Sequence, residues 1–192
     1  MFQTTPILDY DPAAAQTLQS WSRSSTLFRH ITSFTLEFGA PIEALKYLLF
    51  PFLRHLSVIF SGKTTDFGAI EPFLSNHGSA LSSFHLNTKF MRTEKLSELL
   101  VKCTNLETLV LNPSDLFELS ATIQFPSVRH LGIERCDMFS LYHLNQGVEN
   151  VFQYRLLPGL EQIRIYQSGD IESQASQVKR RCVDEAVPLY FG

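Results

Sequence analysis

Three Arg-His pairs punctuate the chain: Arg29-His30, Arg54-His55 and Arg129-His130, set among apolar residues in FRHI, LRHLSV and VRHLGI. Histidine ligates metals and moves protons near neutral pH, so three in like settings could be a zinc site or an acid–base set. Other fragments also suggest chemistry. SVIFSGKTT, residues 57–65, nearly spells the phosphate loop Gly-x-x-x-x-Gly-Lys-Ser/Thr. That loop works because glycines let backbone N–H groups wrap phosphate oxygens. Here Ser57 stands at the first glycine position, and Val58, Ile59 and Phe60 are stiff strand formers. Asp66-Phe67-Gly68 matches the magnesium-binding triplet of protein kinases, but no Gly-rich loop, Val-Ala-Ile-Lys or His-Arg-Asp accompanies it. Cys103, Cys136 and Cys182 are odd in number and widely spaced, and each falls on an apolar stripe. They read as small buried hydrophobes rather than a disulfide framework or a nucleophile. Lys179, Arg180 and Arg181 form the one basic cluster, near the end of a helix-like stretch where cations favour the dipole. A docking patch for an acidic partner is the alternative there.

The whole chain narrows the field. It has 192 residues, 44% of them hydrophobic and 18% charged, which suits one globular domain with a real core. A formal charge of −3 offers no basic face for nucleic acid or an anionic membrane. The opening MFQTTPILDY lacks the basic-then-apolar pattern of a signal peptide, and the apolar stretch ALKYLLFPFL is too short to span a bilayer. The one Asn-Pro-Ser triplet, at Asn112, is blocked as a glycan acceptor by Pro113. These features lead to the expectation of a reduced, soluble protein of the cytoplasm or nucleus.

A repeat explains the Arg-His pairs better than chemistry does. The template apolar-x-x-apolar-x-apolar fits Ile31, Phe34, Leu36; Leu53, Leu56, Val58; Leu81, Phe84, Leu86; Leu106, Leu109, Leu111; Val128, Leu131, Ile133; and Leu160, Ile163, Ile165. The last two positions of each triple are two apart, the period of a strand with one buried face. His55 and His130 both take the third position, three repeats apart, so parallel strands at about 4.8 Å spacing separate them by about 14 Å. Zinc ligands sit at about 2 Å from the metal, so the two cannot share one ion.

The segments between the triples read as helices. PIEALKYLLF has Pro41 at a first helical position and ends at Pro51. DFGAIEPFLSNHG closes at Gly78, RTEKLSELLVKC sets Leu96, Leu99, Leu100 and Cys103 on one stripe, and PSDLFEL allows a turn or two. DMFSLYHLNQGVENVFQYRLL is the longest, and Gly147 is expected to interrupt it. Strand, connection and parallel strand, repeated, make units that must stack to bury both apolar faces.

This pattern resembles leucine-rich-repeat proteins, and more narrowly the irregular repeats of fungal F-box/leucine-rich-repeat proteins. Counting from Val128, the ninth position is Cys136, where such repeats favour Asn or Cys, and the ending LEQIRIY, IESQASQVKRRCVDEA, VPLYFG is similar to that family. The resemblance implies an α/β solenoid with a parallel sheet of six or seven strands and helices on the outer face. It implies one domain over 1–192: an N-terminal helical cap at 1–30 carried by PAAAQTLQSWS, with the remnant of a preceding repeat as the alternative there, repeats at 31–166, and a C-terminal helix and apolar tail at 167–192. No F-box pattern is found in the sequence, so a role as a ubiquitin-ligase adaptor would need an F-box outside this chain.

In such a solenoid, template positions three, five and seven face outward on the strands. The resulting surface is mostly small and neutral-polar, without a carboxylate cluster or a Ser-His-Asp set. The expectation is therefore a non-enzymatic module that binds a protein or peptide, with no catalytic residue, cofactor, metal, nucleic acid or membrane. The residues expected to anchor a partner are His55, His85, His130, Glu134, Arg164 and Tyr166, because Tyr and Arg dominate binding energetics. Two alternatives stay open: a structural segment of a larger scaffold, and a small nucleotide-binding or hydrolase α/β domain with a doubly wound sheet.

Overall fold

The computed structural model describes residues 7–8, 28–38, 49–60, 70–88, 94–136, 140–167 and 171–192. The alternation of apolar and polar residues in each triple produces a strand at that place. These are β2 (Ser33–Phe38), β3 (His55–Phe60), β4 (Ser83–Asn87), β5 (Thr108–Leu111), β6 (His130–Cys136) and β7 (Gln162–Gln167). Short strands add one on each side, β1 (Ile7–Leu8) and β8 (Leu189–Phe191). All eight form one parallel sheet whose spatial order is the chain order, β1 to β8. The count exceeds the expected six or seven. Ile7–Leu8 lie where a helical cap was expected, and Leu189–Phe191 where only a tail was. Both are extended apolar segments, and pairing satisfies backbone groups that β2 and β7 would otherwise leave open. The proposed helices PIEALKYLLF and PAAAQTLQSWS lie outside the described residues, apart from Leu49 and Phe50.

Strands β3 to β7 all begin the same way. The first template residue donates its N–H three residues back: Leu53 to Phe50, Leu81 to Gly78, Leu106 to Cys103, Val128 to Phe125 and Leu160 to Leu157, at 3.1–3.2 Å. The next two N–H groups then share one carbonyl of the preceding unit. Arg54 and His55 donate to Thr32 O, Ser82 and Ser83 to Arg54 O, Glu107 and Thr108 to Ser82 O, Arg129 and His130 to Glu107 O, and Glu161 and Gln162 to Arg129 O. This backbone clip places Arg54-His55 and Arg129-His130 in one structural slot. Arg54 then reaches Ala80 O at 2.8 Å, and Arg129 pairs with Glu161 at 2.6 Å.

The connections carry helices α1 (Ile70–His77), α2 (Glu94–Leu100), α3 (Pro113–Phe117), α4 (Leu141–Gln153) and α5 (Ser176–Asp184). Their apolar stripes meet the inward strand residues in one core. Leu56, Val58, Phe84, Leu86, Leu109, Leu131, Ile163 and Ile165 are buried together with Phe73, Leu74, Leu96, Leu116, Leu144, Val148 and Val178. Phe50, Phe73 and His77 add edge-on and tilted ring contacts at one end, with Phe50 and Phe73 centroids 5.9 Å apart. Helix α4 runs through Gly147 without a break, against expectation. The glycine is there for contact: a Cβ would meet Leu116 Cγ at 2.9 Å and Phe117 N at 3.0 Å, so its absence lets α3 and α4 pack closely. The strand residues that point the other way are half-buried or exposed at most positions.

Candidate functional site

That second strand face is the candidate site. Pairing register aligns its side chains in rows that cross the strands. One row runs Thr35, Ser57, His85, Val110, Gly132, Arg164 and Tyr190; a second runs Ser33, His55, Ser83, Thr108, His130 and Gln162. Glu134 and Tyr166 stand two residues beyond Gly132 and Arg164 on their strands.

Three of the expected anchors surround one depression. Thr108, Val110, His130, Gln162, Arg164 and Tyr166 line a hollow of about 200 Å³ whose floor is Gly132. A Cβ at position 132 would meet Val110 Cγ2 at 2.9 Å and Tyr166 Cε2 at 3.0 Å. Arg164 lies over the Tyr190 ring at 5.8 Å, and Tyr166 is 41% exposed. His130 Nε2 is 3.9 Å from Glu161 Oε2. His85 and Glu134 sit together beside this hollow, whereas His55 is exposed on β3, three strands from His130.

The sequence reading placed no Ser-His-acid set on this face, and the fold corrects that. Ser57 Oγ lies 3.0 Å from His85 Nδ1, and His85 Nε2 lies 2.8 Å from Glu134 Oε2. Asn87 Nδ2 also donates to Glu134 Oε2, at 3.4 Å. With Glu134 accepting from Nε2–H, Nδ1 accepts from the serine, the polarity that activates a hydroxyl in acyl transfer. Acyl transfer also needs N–H donors aimed at the developing oxyanion. Ser57 sits inside β3, with β2 and β4 paired on its two sides, so the backbone donors around it are committed to the ladder. Ser57 and Glu134 lie 77 residues apart in the sequence, and strand register brings the trio together.

A second polar cluster is buried. Asn112 caps α3 by accepting from Asp115 N at 2.8 Å, and its Nδ2 donates to Asp115 Oδ2 at 2.7 Å and to Thr88 O. Thr88 Oγ1 donates to Asp115 Oδ1 at 2.7 Å. Asp115 is 1% exposed, and burial pushes its carboxyl up from 3.8 to about 7, against the opposing hydrogen bonds from Thr88 and Asn112. Asn112 was expected on the outward face; its side chain instead turns down to this cap because Pro113 starts the helix there.

All three cysteines are buried, and Cys103 and Cys182 are free thiols. Burial raises the Cys103 thiol to about 12 and Cys182 to about 11, which keeps both protonated. Among the described residues, no three His, Cys, Asp or Glu side chains gather to hold a metal, and no helix is long and apolar enough to cross a membrane. A scan against protein-family models finds none that matches the chain, and a search of curated proteins finds no relative.

Proposed function

We propose that this chain is a non-enzymatic protein-interaction module, a leucine-rich-repeat-like solenoid of the kind that recognises substrates in F-box-type proteins. One observation carries the reading: the parallel strands follow chain order, and the strand face turned away from the core presents aligned rows of polar and aromatic side chains. A doubly wound nucleotide fold reverses its strand order and covers both faces with helices, and its ligand binds at the reversal. The repeated carbonyl clip also favours stacked equivalent units over a doubly wound sheet. A ubiquitin-ligase role would require an F-box outside residues 1–192. The buried thiols of Cys103 and Cys182 fit a reducing cytoplasmic or nuclear setting.

In this reading the Ser57–His85–Glu134 chain is a polar brace across β3, β4 and β6, since the backbone donors around Ser57 are taken up by its two neighbouring strands. Treatment with a fluorophosphonate probe should leave Ser57 unlabelled; stoichiometric labelling would reinstate a hydrolase. For binding, wild type and the Arg164→Ala/Tyr166→Ala double variant are compared as bait in a cell extract. Wild type should retain a partner that the double variant loses while keeping its melting temperature. A partner retained equally by both sinks the assignment of this face. The scaffold-segment reading keeps one point in its favour: β8 has a neighbouring strand on one side only among the described residues.

A further inference from the structure

We infer that the hollow over Gly132 receives the carboxylate side chain of an extended acidic segment of a partner protein, held by Arg164. The inference rests on the interaction-module reading and narrows it to one chemistry.

Shape is the first ground. The hollow exists because residue 132 has no side chain; a Cβ would run into Val110 and Tyr166 at 2.9 and 3.0 Å. Val110, Gly132 and Arg164 share one row across β5, β6 and β7. The depression therefore lies between an apolar wall and a guanidinium. At about 200 Å³ it suits a short side chain rather than a cofactor.

Charge is the second ground. Arg164 is exposed, and among the described residues it makes no ion pair. Its guanidinium carbon lies 5.8 Å from the centroid of the Tyr190 ring, a contact that engages no N–H donor in a salt bridge. The carboxylates nearby are engaged elsewhere. Glu134 lies 2.8 Å from His85, and Glu161 lies 2.6 Å from Arg129 and 3.9 Å from His130. Thr108, Gln162 and Tyr166 add donors at the rim.

The planar fork matches a carboxylate with two parallel bonds. A phosphate dianion would ask for a second fixed cation, and it would face Glu134 and Glu161 as well. An extended occupant fits because the row of outward side chains runs on past Val110 to His85 and Ser57.

The test is a phage library of random linear peptides selected on the full chain, followed by fluorescence polarisation of the selected peptides. Support consists of Asp or Glu fixed at one peptide position and an affinity that drops about tenfold or more in Arg164→Gln. Binding should also weaken with salt, weaken in Gly132→Ala, and stay unchanged in Tyr142→Ala, on the helix side. Arg164 is exposed, so the glutamine variant carries the test even if Gly132→Ala folds poorly. Peptides that bind Arg164→Gln as well as wild type, or that prefer phosphoserine to glutamate at the fixed position, overturn the carboxylate receptor and leave the interaction face standing. No enrichment at all, or binding indifferent to Arg164→Gln, Tyr166→Ala and His55→Ala together, overturns both.

Discussion

Asp115 is an acid held in an apolar place by three polar contacts, and its titration should be readable in the stability of the whole chain. Burial raises its folded value to about 7 from 3.8. The folded chain thus holds a proton between these values that the unfolded chain releases. Its stabilising contribution is complete below about pH 4, falls as pH rises through 7, and levels off above. A shift of this size corresponds to on the order of 4 kcal/mol. Asp115→Asn mimics the protonated form, so urea midpoints of the variant minus wild type should rise between pH 4 and 7. A constant difference across that range would show that Asp115 stays ionised in its cap. At the same scale, Leu109 is fully buried under the central strand and His55 points outward. Leu109→Ala should cost about 2–5 kcal/mol by denaturant unfolding and His55→Ala less than about 0.5. Equal losses would mean that the inward and outward assignment is inverted.

The strands were legible because their signal is local: two apolar residues two apart recur beside a turn, as at Leu109 and Leu111 or Ile163 and Ile165. The edges were harder. Ile7–Leu8 and Leu189–Phe191 are too short to show a period, and only a neighbour strand gives them their state. The site was partly legible. Outward positions followed from alternation, so Arg164, Tyr166 and His130 could be placed on one face, but the union of Ser57, His85 and Glu134 depends on register across three strands. Gly147 shows the same limit in a helix. Its propensity argues for a break, while its contact with α3 argues for a continuous helix, and the contact wins. Gly147→Ala gains about 1 kcal/mol in propensity. It also forces a methyl onto Leu116 and the Phe117 backbone, which costs about 1–3 kcal/mol. Calorimetry should therefore record a lower melting temperature; a higher one would mean that α3 yields freely.

Across the molecule, the sheet is stitched one neighbour at a time, so protection against hydrogen exchange should be graded. Amides of β5 and β6, paired on both sides, should exchange slower than those of the three-residue β8. Uniform protection would mean that the array opens only as a unit. The shared carbonyl between successive units also imposes a spelling rule. Residues at 54, 55, 82, 83, 107, 108, 129, 130, 161 and 162 can carry any side chain that fits outside, since the joint is made by backbone groups alone. Proline is the one residue the rule forbids. The chain obeys it at all ten positions and breaks it at the next joint: Pro188 aligns with Gln162 but has no N–H to donate, and only its carbonyl makes a bond, accepting from Ile163 N at 2.9 Å. Connections of very different length can therefore join the same strands, because the link between neighbours is written in the backbone and asks almost nothing of the alphabet.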